Sequence, residues 1–143
     1  MDEQEELSPE EFFPTIESFP DFSGERREFV IELEIQSRGY FLRANERRTD
    51  GEAGYTFGAY APGDPFFARG QLRDRIRRGL ATRYLIVEHG RRALSHDRLK
   101  GTIGFGGVIV DGEFITFQEF CSILDTYEGF QFSLTTADPY DEA

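Results

Sequence analysis

GTIGFGGVIVDGEFITFQEF, residues 101–120, decides how this chain folds. Ile103 and Phe105, then Val108-Ile109-Val110, then Phe114-Ile115 are apolar, with Gly106-Gly107 and Asp111-Gly112 between them. Gly-Gly and Asp-Gly between apolar runs are the strongest short-range hairpin signals, so the chain must double back twice and form antiparallel strands. Thr116 then stands three residues before Glu119, the capping-box spacing that opens a helix. At about 100° per residue, Phe117, Phe120, Cys121, Ile123, Leu124 and Tyr127 fall on one arc. A helix is predicted over about 116–127. Gly129 closes it, and Phe130, Phe132 and Leu134 alternate as a last strand.

The same patterns recur upstream. Phe29, Ile31, Leu33 and Ile35 alternate with Val30, Glu32, Glu34 and Gln36, the period of a half-buried strand. Ser37-Arg38-Gly39 supplies a turn, and Tyr40 to Ala44 returns. Tyr55 to Tyr60 reads as a third strand ended by Pro62. Asp64 as N-cap and Pro65 at the first position open a helix that runs to Ala81. Tyr84 to Glu88 is a short strand, and HGRRALSHD (residues 89–97) a polar strand–turn–strand. Three strands, helix, strand, meander, helix, strand give an α+β fold: a mostly antiparallel sheet of short strands with two main helices, about 65–81 and 116–127.

Charge divides the chain differently. Residues 1–25 carry nine acids and no base; residues 26–100 carry all sixteen bases and a balance of +6; residues 101–143 carry eight acids and no base. Residues 1–27, punctuated by Pro9, Pro14 and Pro20, read as an acidic N-terminal tail in which Ser8-Pro9-Glu10-Glu11 starts at most one short helix. Phe12, Phe13, Phe19 and Phe22 make it sticky, since such rings can offset the entropy of ordering. The expected organisation is therefore this tail, a single α+β domain over 28–137, and a short acidic tail over 138–143.

At 143 residues one core is expected. No apolar run approaches the roughly 20 residues that span a bilayer. The acidic start lacks the basic and apolar regions of a signal peptide. One cysteine excludes an internal disulfide framework. A cytoplasmic protein is expected, with no membrane partner.

The runs IRRGLATRYL (76–85), LSHDRLKGTI (94–103) and VIVDGEFITFQEF…DTYEGFQFSL…DPYD (108–141) resemble a small family of uncharacterised microbial proteins. The resemblance covers about residues 70–140. It implies no activity and carries over no functional residue.

Candidate chemistry is sparse. The glycines of GTIGFGG are followed by more strand and no Gly-Lys-Ser/Thr, so they read as turn residues and not as a phosphate loop. His89 and His96 are the only histidines, and a zinc site wants a third ligand of similar quality. Cys121, on the apolar arc with no base after Lys100, reads as a buried structural thiol. Glu32 and Glu34 share one side of a strand, which suits acid–base work but equally a solvent-facing edge. No cofactor, metal site or catalytic set emerges, and the balance leans away from an enzyme.

The arginines remain. Leu72, Ile76 and Leu80 mark the buried stripe of the first long helix, and Arg69, Arg73, Arg75, Arg77, Arg78 and Arg83 lie on or beside it. The leading expectation is a non-enzymatic interaction or regulatory module. Its face of Arg73, Arg77, Arg78 and Arg83 would meet an acidic, aromatic segment: either a protein partner's or its own tail, through Phe12, Phe13, Phe19 and Phe22. The alternatives are nucleic-acid or phosphate-ligand binding by that face, and a small enzyme without a recognisable motif. Nucleic acid is disfavoured because each phosphate contact must overcome two acidic ends. The sequence fixes no oligomeric state.

Overall fold

The computed structural model describes residues 8–142. Residues 1–7 of the expected N-terminal tail and Ala143 of the C-terminal one lie outside the described residues. The fold is α+β, with three antiparallel sheets.

The first sheet is a meander of β1 (Thr15–Pro20), β2 (Arg26–Gln36), β3 (Gly39–Glu46) and β4 (Thr56–Ala61) in the order β1-β2-β3-β4. Alternation sends Phe29 and Ile31 of β2 inward together with Leu42 and Ala44 of β3 and Ala59 of β4, all fully buried. Helix α2 (Pro65–Ala81) lies across that face. Its start follows the sequence, since the Asp64 side chain accepts from the Phe66 N–H at 2.9 Å and Pro65 spares a donor with no partner. Ala68, Leu72, Ile76 and Leu80, spaced four apart, are fully buried against the sheet. Each of the larger three contributes about 1.5–3 kcal/mol. Gly79 lets the helix settle, because a Cβ there would strike the Phe57 ring.

The segment expected as a tail is structured over its described part. A four-residue helix, α1 (Pro9–Phe12), opens with the Glu11 carboxylate accepting from the Ser8 N–H at 3.0 Å. Then β1 adds to the sheet, with Thr15 opposite Ile31 and Pro20 opposite Arg26. Phe13 and Phe19 join the main core. Proline ends β1 where an edge strand can do without a donor.

The second half has a β5–β6 hairpin (Leu85–Glu88 and Arg91–Leu94), then β7 (Thr102–Gly104), β8 (Gly107–Val110), β9 (Glu113–Thr116) and α3 (Phe117–Asp125). Both predicted reversals in residues 101–116 are present, and β7-β8-β9 form a three-stranded sheet. Leu85, Val110, Ile115 and Ile123 make a small second core, flanked by half-buried Tyr84, Leu94, Leu99, Val108 and Phe120.

Helix α3 is present as expected, over Phe117–Asp125 with Thr126 as its cap; Thr116 Oγ accepts from the Glu119 N–H, and the Glu119 carboxylate turns to Arg92. Two expectations for this half are corrected. Phe130, Phe132 and Leu134 pair with no described strand, and all three are exposed. Cys121 is exposed, since only one side of its arc is covered.

The turn between β8 and β9 joins the halves. Asp111 adopts a left-handed φ of 55°, and its buried carboxylate accepts from the N–H groups of Tyr84 and Leu85, which follow the end of α2. Gly112, at φ 74°, packs against the Tyr55 ring where a side chain would not fit. Arg48 donates to the Gly112 carbonyl at 3.0 Å.

Candidate interaction site on helix α2

The arginines of α2 divide between its two flanks. Arg69, Arg73 and Arg77, four residues apart, run along the flank beside β1. Arg69 sits over the rings of Phe12 and Phe66, 4.7 and 5.0 Å from their centroids. Arg73 grips the Glu17 carboxylate at both ends, with Nε–Oε1 2.7 Å and Nη2–Oε2 3.0 Å. Arg77 lies over Phe19 at 5.5 Å. Arg83, just past the helix, lies over Phe22 at 4.8 Å and donates to the Leu85 carbonyl.

A planar guanidinium suits both partners, since it forks onto a carboxylate and stacks on a ring. The bond to Glu17 raises the Arg73 pKa. Phe12 packs edge-on against Phe13 and Phe66 at 5.0 and 5.3 Å, and Phe13 is buried.

The opposite flank meets the other end of the chain. Arg75 donates to the carbonyls of Gly58 and Tyr140, each at 2.8 Å, and Arg78 reaches Glu142 at 2.5 Å. The Tyr140 ring rests 4.5 Å from that of Phe41 on the sheet face away from α2. Its hydroxyl donates to Glu34 at 2.9 Å. Bonds from Gln36 and Tyr140 pull the Glu34 carboxyl below its usual value. Glu32, Glu34, Phe41, Arg43 and Tyr140 line a pocket of about 220 Å³ there. On the solvent side of α2, Phe66, Phe67, Arg73, Asp74 and Arg77 line an open depression of about 540 Å³.

All eight residues singled out in the sequence thus fall on or against α2 and the start of the second half. Sequence reasoning did not use Arg69 among them, or Arg75, Tyr140 and Glu142. The four-residue spacing of Arg69, Arg73 and Arg77 was the available signal for the first.

A second polar cluster joins β2 and β3 to the turn after β1. Arg27 donates to Asp21 at 2.9 Å and to Glu46 at 2.8 Å. Burial pushes the Asp21 carboxyl up, but bonds from the Ser23 hydroxyl, Arg27, and the Ser23 and Glu25 N–H groups outweigh it and hold the pKa at about 2. Burial, with the charge on Asp111, pushes the Tyr55 hydroxyl up to about 12. The histidines lie elsewhere: His89 is in the β5–β6 turn with φ 53°, and His96 packs edge-on to Tyr84. Among the described residues, no three His, Cys, Asp or Glu side chains are grouped to hold a metal ion. No described helix is long and apolar enough to cross a membrane.

Helix α2 ends at Ala81 and the second core begins at Leu85, and two family models match the chain on either side of that boundary. Residues 11–81 match DUF7686 and residues 84–141 match DUF7713, each described as a domain of unknown function. The DUF7686 match contains Phe12, Phe13, β1 and all of α2, so the acidic aromatic segment and its arginines share one match. The DUF7713 match covers the Asp111 turn and reaches Tyr140. Neither the curated proteins nor the solved structures give a match.

Proposed function

We propose that this protein is a non-catalytic interaction module whose helix α2 receives acidic, aromatic segments through its arginines. One observation carries the reading: Arg69, Arg73 and Arg77 each hold a ring or carboxylate from residues 12–19. A partner segment of the same chemistry would compete for these contacts. The chain's own segment is then a resident ligand that sets a threshold for exchange. Arginines already committed to carboxylates also count against nucleic acid as the partner. The single cysteine supports a reducing, cytoplasmic setting.

A labelled peptide with the sequence of residues 8–25 tests the reading. Phe12→Ala with Phe13→Ala should loosen the resident segment, seen as faster proteolysis near residues 10–25, and should let the chain bind the peptide in trans. Arg77→Ala with Arg78→Ala should loosen it less, because Arg77 makes one exposed contact over the Phe19 ring, worth about 0.5–1 kcal/mol, and Arg78 faces Glu142 on the other flank. Adding Arg69→Ala and Arg73→Ala to the Phe variant should abolish uptake. A loosened chain that takes up no peptide would refute α2 as a receptor.

A further inference from the structure

Helix α3 buries less of its apolar arc than its sequence provides. Ile123 is buried and Phe120 half-buried over β8 and β9, and Glu119, at the edge of that covered side, meets Arg92 of β6. Phe117, Cys121 and Leu124, at helix spacings of four and three, form the other side of the arc and are exposed. They lie away from the β6 side. Beyond them the sheet ends in the free edge strand β7, whose Ile103 is 69% exposed although it pairs with core-facing Val108. At the β7–β8 turn Phe105 stands fully in solvent, next to Gly106, whose carbonyl accepts from the Phe117 N–H. Exposed apolar groups grouped this way mark a contact surface.

Charge indicates what covers it. Residues 101–143 contain no base, and the charge of Lys100, just before β7, acts on Glu142. The last turn of α3 carries no base; it carries Asp125, and Glu128 lies three residues further on. A helix C-terminus is the negative end of its dipole, so acids there oppose it, and no described ion pair offsets either residue. A local rule broken without compensation among the described residues marks a functional surface. A second copy would bring the same base-free face against this one.

We infer that the exposed stripe of α3 and the edge of β7 dock a basic amphipathic segment of another protein, its apolar side on Phe105, Phe117 and Leu124 and its lysines or arginines at Asp125 and Glu128. This surface is separate from the arginine flanks of α2 and prefers the opposite charge, so its test is independent of the reading proposed above.

Two 14-residue helical peptides serve as probes, one of leucine and lysine and one of leucine and glutamate in the same pattern. Both are titrated into the ¹⁵N-labelled full chain. The lysine peptide should bind saturably, with shifts confined to residues 103–130, and the glutamate peptide should not bind. Phe117→Gln with Leu124→Gln, both solvent-exposed positions, should weaken binding at least about tenfold. Asp125→Lys with Glu128→Lys should weaken it several-fold at low salt and bring up affinity for the glutamate peptide. The inference is overturned if neither peptide saturates, if both bind alike, or if shifts fall on α2. Sedimentation showing that the wild-type chain dimerises and that the Phe117/Leu124 variant does not would assign the face to a second copy and overturn it equally.

Discussion

The two halves solve the same problem to different depths. In the first half, whose residues 11–81 match DUF7686, a 17-residue helix covers a four-stranded sheet, and thirteen buried residues form its core. In the second, whose residues 84–141 match DUF7713, a nine-residue helix covers a three-stranded sheet, and the buried core has four. Eight of the twelve large exposed apolar residues of the described chain belong to that smaller half. The first half is nearly self-sufficient. The second meets its neighbour where Gly112 packs on Tyr55 and bonds Arg48, and keeps apolar surface in reserve.

The largest effects should separate the halves. Ile76→Ala, at a fully buried position between α2 and the sheet, should cost about 2–5 kcal/mol. Ile123→Ala, at the thinner core, should fall near the lower end, about 2 kcal/mol, because its surroundings can close in. Urea denaturation gives the size, and hydrogen exchange the place. Ile76→Ala should raise exchange throughout, while Ile123→Ala should raise it in residues 85–125 and spare β2 and β3. Equal loss of protection in both halves would make them one cooperative unit.

An intermediate effect comes from pH. The folded pKa of Asp21, about 2, lies below its ordinary 3.8. Its contribution to stability is therefore present above about pH 4 and is lost as pH falls through 2. Asp21→Asn should be less stable than wild type at pH 7, with the gap closing by pH 2, as read from urea midpoints along the pH series. A gap unchanged between pH 7 and pH 2 would mean that the cluster around Arg27 contributes through packing alone.

The smallest effect involves no stability. Cys121, on the uncovered side of α3, should react with a thiol reagent in the native chain nearly as fast as in denaturant. Slow native labelling would show that the reserve surface of the second half is already covered.

Much of this was legible in the sequence, and the failures share a cause. Helix α2 could be read to its ends because Asp64-Pro65 and the stripe Leu72, Ile76, Leu80 encode it twice, locally and by periodicity. The hairpins of residues 101–116 rest on local glycines and needed no partner. Strand β1 was hidden because one of its inward positions holds Glu17, and the arginine that makes a carboxylate tolerable there is 56 residues away. The reverse error occurred at Phe130, Phe132 and Leu134, where alternation proposes a strand but only a free edge can make one. Cys121 was misjudged for a related reason. A wheel shows which side of a helix is apolar, not how much of that side its neighbours reach. The arginine site was half legible: the residue types and their clustering could be seen, but which flank met which end of the chain depended on the fold.

Arg75 has one more consequence. Strand β4 closes the first sheet, and an outermost strand with free carbonyls is a template on which other chains can stack into aggregates. By binding the Gly58 carbonyl and the Tyr140 carbonyl together, Arg75 fastens residues 139–140 over that margin, where Pro139 lies against Gly58. This short segment thereby acts as a selvedge, a finished border along the β4 side of the sheet.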